Sequence, residues 1–204
     1  MDTTLGGLRV LEIRPLQDHE RPQVGELLAA TFPDKVAAKL PRHTAAAATL
    51  FADLAAVTPL SWVAVEDDRV AGVLYLRDRS IPVGERHHWR VLRRHLPFGA
   101  ALRAAAFGLV FYSVRLPPDC LYIETVAVRP ELQGRGIAGA LIRHAVAEAL
   151  RRGKRAVRLY CIERNVHARA VYEHHGFTVV KREHLWPFAA LLGFRVTSLM
   201  ELRL

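Results

Sequence analysis

Three glycines and an arginine form the part of this chain best suited to holding a ligand by its main chain. Gly134, Arg135, Gly136 and Gly139 follow the apolar run Val126-Ala127-Val128 and open a helix-like run that begins at Ile137-Ala138. Without Cβ atoms, neighbouring N–H groups can close on an anion. A helix start is also where N–H groups lack intrahelical partners. The aligned peptide dipoles place roughly half a positive charge there, so a pyrophosphate suits such a turn. Arg135 adds a full charge beside it. A glycine cluster is also how any tight turn is built, and the spacing alone leaves a purely structural turn open.

The literal pattern Gly134-x-Gly136-x-x-Gly139 also matches the fingerprint of a dinucleotide-binding fold, with Glu163 beyond the next strand as its ribose-binding acid. Two features weigh against that fold. In a Rossmann unit the strand runs almost directly into the first glycine, whereas Arg129 to Gln133 intervene here. After Glu163 only roughly forty residues remain, too few for the missing parallel strands and their crossovers.

A strand, then Val128-x-Pro130, then Gln133-x-x-Gly136-x-Ala138 opening a helix, resembles the acyl-CoA signature of the GNAT superfamily of N-acetyltransferases. After the next strand, Asn165, Ala168, Tyr172, Gly176 and Phe177 resemble the family run Asn-x-x-Ala-x-x-x-Tyr-x-x-x-Gly-Phe. The resemblance is close from Leu121 to Lys181 and extends to earlier residues only in the order of strands and helices. It implies an α/β fold: a central mixed β-sheet flanked by helices, with a helical insertion before the cofactor-binding strand. It also implies acetyl-CoA as co-substrate. The N–H groups from Gln133 through Gly134, Arg135, Gly136, Ile137 and Ala138 to Gly139 would hold the pyrophosphate, and Val126, Ala127 and Val128 would pair with the pantetheine arm like an added strand. Asn165 would hold the pantetheine or the backbone near it; independently, it suits the N-cap of the helix that follows. Tyr172 matches the family tyrosine that gives a proton to the departing thiolate, and otherwise packs on Phe177.

An alkyl ammonium has a pKa of about 10.4, and freeing its lone pair at pH 7 costs about 4.6 kcal/mol. A base is therefore useful. Glu124 lies on the same strand as the implied cofactor residues, and strict alternation gives it a face in common with Val126 and Val128. From there it could take the proton directly or through water; its bland alternative is a solvated or paired carboxylate. The expected function is transfer of acetyl from acetyl-CoA to a small-molecule or peptide amine by direct attack in a ternary complex. The alternative is a catalytically weak CoA-binding regulatory module. No residue demands a covalent acyl-enzyme, although Cys161 is the side chain by which to test one.

These groups need elements to carry them. Leu8 to Arg14 reads as a strand, and Val24, Leu27, Leu28 and Thr31 recur at helical spacing. Ala47, Leu50, Phe51 and Leu54 repeat that spacing before a hairpin of Ser61 to Val65 and Val70 to Arg77. Strand Leu121 to Val128, helix Ile137 to Arg152, strand Ala156 to Ile162 and helix Val166 to His175 follow, with Gly153 and Gly176 as helix stops. Phe177 to Arg182 and Val196 to Arg203 close the fold around an aromatic turn at Trp186, Pro187 and Phe188. Ser80 to Pro118 breaks this style and is expected to be an inserted helical hairpin within a single domain spanning residues 1–204. In its first part Arg86, Arg90, Arg93 and Arg94 form a stripe opposite Trp89, Leu92 and Leu96. That stripe suits a solvated face, an acidic acceptor or another anionic partner. Ala104 to Tyr112 suits core, an acceptor wall or a homodimer contact.

The 204 residues allow one domain with a full core. An excess of 29 Lys and Arg over 20 Asp and Glu favours an anionic partner, and a phosphate-rich cofactor satisfies that. No recognition helix or zinc-finger pattern points to nucleic acid. The most lipid-like stretch, Pro97 to Val114, contains Arg103 and is shorter than the ~20 apolar residues that cross a bilayer, so no membrane partner is expected. Cys120 and Cys161 make no disulfide framework, and the start Met1-Asp2-Thr3-Thr4 has no secretory pattern, which favours the cytoplasm. The adjacent pairs His87-His88 and His174-His175 point apart on a helix, so no metal is expected.

Overall fold

The computed structural model describes residues 11–32, 44–81, 85–102, 104, 116–184 and 195–204. Where side chains alternate, strands form: β1 (Glu12–Pro15), β2 (Leu60–Glu66), β3 (Arg69–Asp78), β4 (Cys120–Val128), β5 (Ala156–Ile162), β6 (Thr178–His184) and β7 (Val196–Arg203). They build one mixed sheet in the order β1-β2-β3-β4-β5-β7-β6. Every neighbouring pair is antiparallel except β4 and β5. The helices are α1 (Arg21–Thr31), α2 (Thr44–Ala55), α3 (Glu85–His95), α4 (Ile137–Arg151) and α5 (Val166–His174). Residues 98–102 resume helix after a break at Pro97. The helical character expected between Ser80 and Pro118 is thus present in α3 and residues 98–102. Residues 105–115 and the aromatic turn at Trp186, Pro187 and Phe188 lie outside the described residues.

Helical spacing on α4 delivers Leu141, Ile142, Ala145 and Ala149 to one sheet face, against Leu74, Leu121, Leu159 and Met200. On the opposite face α1 lays Val24, Leu27 and Leu28 over Val63, Val73 and Ala127. Burying each such leucine or isoleucine contributes roughly 1.5–3 kcal/mol, and cutting the fully buried Leu141 to alanine removes about 2–5 kcal/mol. Farther out, Trp89 and Leu92 of α3 and the adjoining Leu96 pack with Ala47 and Leu50 of α2.

The far end of α4 is anchored by charge. Lys154 Nζ donates to buried Asp78 at 2.8 Å, and Glu148 accepts from Arg151 and Arg152 at 2.6 Å. Burial works against the Asp78 carboxylate, but the bonds from Lys154 and Ser80 outweigh it and hold its pKa below the ordinary value. That stabilisation is present above the unfolded carboxylate pKa and is lost as pH falls through the folded one.

Two irregularities in the sheet place the site. β4 has one residue more than β3 between the pairs Tyr75↔Thr125 and Leu76↔Ile123, and that residue is Glu124. Ile123 and Val126 both pack into the core under α4 although they are three positions apart, which a period of two forbids. A bulge resolves the phase by turning Glu124 and Thr125 to the other face. The expectation that Glu124 shares a face with Val126 and Val128 is corrected accordingly: it lies on the α1 face, with Tyr75 and Ala127.

The second irregularity is a parting of strands. β4 and β5 pair from Cys120↔Ala156 to Ile123↔Leu159 and no farther. Meanwhile β4 continues along β3 to Val128, and β5 along β7 to Ile162. The N–H of Arg129 donates to the Ala71 carbonyl at 2.9 Å, which makes Val128↔Gly72 a non-hydrogen-bonded pair. The N–H and C=O of Val128, and those of Val126 two residues back, therefore point away from β3 into the gap. Ala127, between them, directs its own toward Val73.

Candidate active site

Beyond β4 the chain makes a single 3-10 turn at Pro130–Leu132 and enters the glycine segment. Gly134 and Gly136 have φ of +77° and +80°, a region that selects glycine, and a Cβ on either would meet nothing within 4 Å. The first hydrogen bond of α4 runs from Ala140 N–H to the Gly136 carbonyl at 3.0 Å. The N–H groups of Ile137, Ala138 and Gly139 hence have no helical carbonyl behind them, and the N-cap residue, Gly136, brings no side chain to cap them. Gln133 through Gly136 are exposed. The expected phosphate-binding residues thus lie together in one turn, with open space around the Cα atoms of Gly134 and Gly136. Gly139 has a further role. A Cβ there would come within 2.9 Å of His175 Nε2, so its absence lets the end of α5 close on α4.

Side chains brace this turn from behind. Arg129 is 7% exposed and donates through Nε to the Val70 carbonyl at 2.6 Å, tying the end of β4 to β3. Gln133 Nε2 donates to the Val128 carbonyl at 3.3 Å. Arg135, expected to add a positive charge for the phosphates, turns back to β2: its two terminal nitrogens donate to both Glu66 oxygens, at 3.0 and 2.7 Å. Much of that charge is already balanced by the Glu66 carboxylate.

Glu124 directly follows Ile123, the last β4 residue paired with β5, and so stands where the strands part. The Tyr75 and Tyr122 phenols lie within its electrostatic reach. Burial raises the pKa of both well above the ordinary value, and the Glu124 carboxylate raises them further. The Arg77 guanidinium sits 5.1 Å from the Tyr122 ring centroid. Tyr75 is 7% exposed, and its hydroxyl has no hydrogen-bond partner among the described residues.

Tyr172 approaches from the other side of the sheet. It packs against the core under α4, its ring 6.0 Å from Phe177, and no hydrogen bond holds its hydroxyl among the described residues. Burial, and then the neighbouring Cys161 thiol, push its pKa well above the ordinary value, so the phenol keeps its proton across the working range. Cys161 lies on β5 beyond the last pair with β4. Burial pushes its thiol pKa up, which leaves little thiolate for nucleophilic attack. Asn165 caps α5, accepting from Ala168 N–H at 3.1 Å. Glu124, where β4 and β5 part, thus lies on the α1 face of the sheet, and Tyr172 packs on the α4 face. Sequence reasoning missed Arg129, Glu66 and Tyr75. The arginine just before Pro130 was a local signal; the other two are recognisable only across strands.

Among the described residues no group of three His, Cys, Asp or Glu is placed to hold a metal, and no helix is long and apolar enough to cross a membrane.

Residues 21–177 match the model of the Acetyltransferase (GNAT) family, and the chain belongs to that family. It is accordingly an acyl-CoA-dependent acetyltransferase, of a family that uses acetyl-CoA and acts on amine acceptors. Solved structures share the fold. An N-acetyltransferase from Staphylococcus aureus Mu50 is 17% identical with a TM-score of 0.63, over 94% of this chain and 100% of that one. The Escherichia coli ribosomal-protein-S18-alanine N-acetyltransferase is 15% identical with a TM-score of 0.57, over 95% and 94%. The PaiA N-acetyltransferase of Thermoplasma acidophilum, solved in complex with coenzyme A, is 14% identical with a TM-score of 0.56, over 96% and 99%. No curated protein sequence matches the chain.

Proposed function

We propose that this chain transfers acetyl from acetyl-CoA to a small-molecule or peptide amine by direct attack in a ternary complex. It does so in a single domain over residues 1–204, with about 80–118 as a helical insertion. The observation that carries the reading is the open edge of β4 running into the uncapped start of α4. N–H groups from Gln133 to Gly139 would receive the pyrophosphate. The N–H and C=O of Val126 and the N–H of Val128 would pair with the amide-bearing pantetheine arm, and one of these N–H groups could polarise the thioester carbonyl. Asn165, already an N-cap, would border the same arm.

Glu124 is the base of this proposal, accepting the ammonium proton directly or through water on the α1 face. Tyr172 is the acid on the opposite face, a neutral phenol offering its proton to the leaving sulfur. The two roles separate naturally because the gap between β4 and β5 passes through the sheet. The buried, weakly acidic Cys161 supports direct transfer over a thiol relay, and free buried thiols at Cys120 and Cys161 favour a reducing, cytoplasmic setting.

Acetyl-CoA consumption across a panel of primary amines tests the whole reading, with Glu124→Gln and Tyr172→Phe as variants. Turnover that falls in both while CoA affinity stays level supports it. No turnover by the parent protein with any amine would move the chain to a CoA-binding regulatory module. Turnover abolished by Cys161→Ala, with CoA affinity intact, would replace direct attack with an acyl-cysteine.

A further inference from the structure

We propose that α3 and residues 98–102 form a surface that adsorbs to anionic lipid headgroups. On α3, Arg86, Arg90, Arg93 and Arg94 are all exposed, and their spacing puts them on one stripe. The opposite stripe is already used, since Trp89, Leu92 and Leu96 pack on α2. Just past the break at Pro97 two large apolar side chains face solvent, Phe98 at 60% exposure and Leu102 at 53%. They are four positions apart on a helical stretch and so share a side. This pair is continuous with the cationic stripe. The Arg93 guanidinium lies 5.2 Å from the centroid of the Phe98 ring, and the half-buried Trp89 meets that ring edge-on at 6.3 Å.

Charge and shape together select the occupant. A row of arginines attracts any polyanion, but exposed Phe98 and Leu102 gain from an apolar layer directly beneath the anionic groups, which a headgroup region supplies. A single-stranded nucleic acid would need open aromatic faces for its bases to stack; the Phe98 ring already has Arg93 over it and Trp89 against it. Among the described residues, Asp53 of α2 approaches Arg94 at 3.7 Å and His95 at 2.7 Å, and Arg86 and Arg90 lie on the outer turn. Adsorption of this kind is distinct from crossing the bilayer, for which the chain has no helix among the described residues. It revises the expectation that no membrane takes part.

Flotation of the full-length protein with vesicles of phosphatidylglycerol and phosphatidylcholine, in about a 3:7 ratio, against phosphatidylcholine alone tests it. The expected result is at least roughly ten-fold stronger partitioning to the anionic vesicles, reduced roughly ten-fold by Arg86→Glu with Arg90→Glu. Phe98→Ser with Leu102→Ser should weaken partitioning to the same vesicles roughly five-fold. Acetyl-CoA affinity, which reports the turn before α4, should stay level in both double variants and shows that they fold. Equal partitioning to both vesicles overturns the proposal. So does an unchanged Phe98/Leu102 variant, or displacement from anionic vesicles by a single-stranded oligonucleotide at equal phosphate.

Discussion

The turn between β4 and α4 offers a ligand its main chain, whereas the bulge a few residues earlier on β4 offers only side chains. Ile137, Ala138 and Gly139 present N–H groups whose availability depends on helix geometry and on glycine at two positive-φ positions. Glu124, Tyr75 and Tyr172 depend instead on which face of the sheet each side chain takes and on what buries it. Main-chain sites tolerate change in side-chain identity but not in backbone conformation; side-chain sites depend on residue identity as well. A family that keeps one cofactor and varies its acceptor is well served by that division, since the acceptor side can be rebuilt without disturbing the phosphate turn.

Substitution of Gly136 should have the largest effect. Valine at φ +80° is strained by about 1–2 kcal/mol in the left-handed region, which would shift the backbone of the turn. Calorimetry should show CoA affinity falling on the order of 100-fold while the far-UV spectrum stays folded. A full-affinity Gly136→Val protein would mean that the phosphates lie elsewhere. Next comes Glu124→Gln. With the carboxylate gone, kcat/KM for the amine should drop roughly 30-fold or more, with CoA affinity unchanged within about two-fold. A matched loss of CoA affinity would erase the division between the two regions.

The same division explains what was legible in the sequence. Gly134, Gly136 and Asn165 carry their roles locally, in residue type and spacing, and the structure places them where a turn and a cap require. β5 and β7 have their predicted bounds, Ala156–Ile162 and Val196–Arg203. The bulge was not legible: Glu124, Val126 and Val128 satisfy an alternating template as well as any strand does, and only the pairing with β3 shows that the phase slips at Glu124. Nor was the Arg135–Glu66 pair, whose members are distant in sequence and meet only because β2 ends beside the turn.

That ion pair permits a sharper test. Were the anion site built mainly from side-chain charge, Arg135→Gln would rival Gly136→Val. Because Glu66 already engages both terminal nitrogens of Arg135, and the pair is partly exposed, the change should weaken CoA binding by less than about five-fold. A loss of the order seen for Gly136→Val would show that Arg135 leaves Glu66 for the ligand, and the turn would then be a mixed site.

The smallest effect belongs to Tyr75, and it probes the side-chain region. A buried hydroxyl with no partner among the described residues, as at Tyr75, forfeits hydration without recovering a hydrogen bond, a deficit of about 1–3 kcal/mol. Tyr75→Phe keeps the ring in its contacts with Val63, Val73 and Ala127 and removes only that oxygen. Urea unfolding of the variant should therefore show stability unchanged or raised by up to about 1 kcal/mol, with no change in the m-value. A loss of more than about 1 kcal/mol would mean that the hydroxyl is satisfied in solution, by water or by the Glu124 carboxylate whose charge it feels. In that case the bulge would hold a prebuilt polar network, and the contrast with the main-chain turn would be one of chemistry alone rather than of preorganisation.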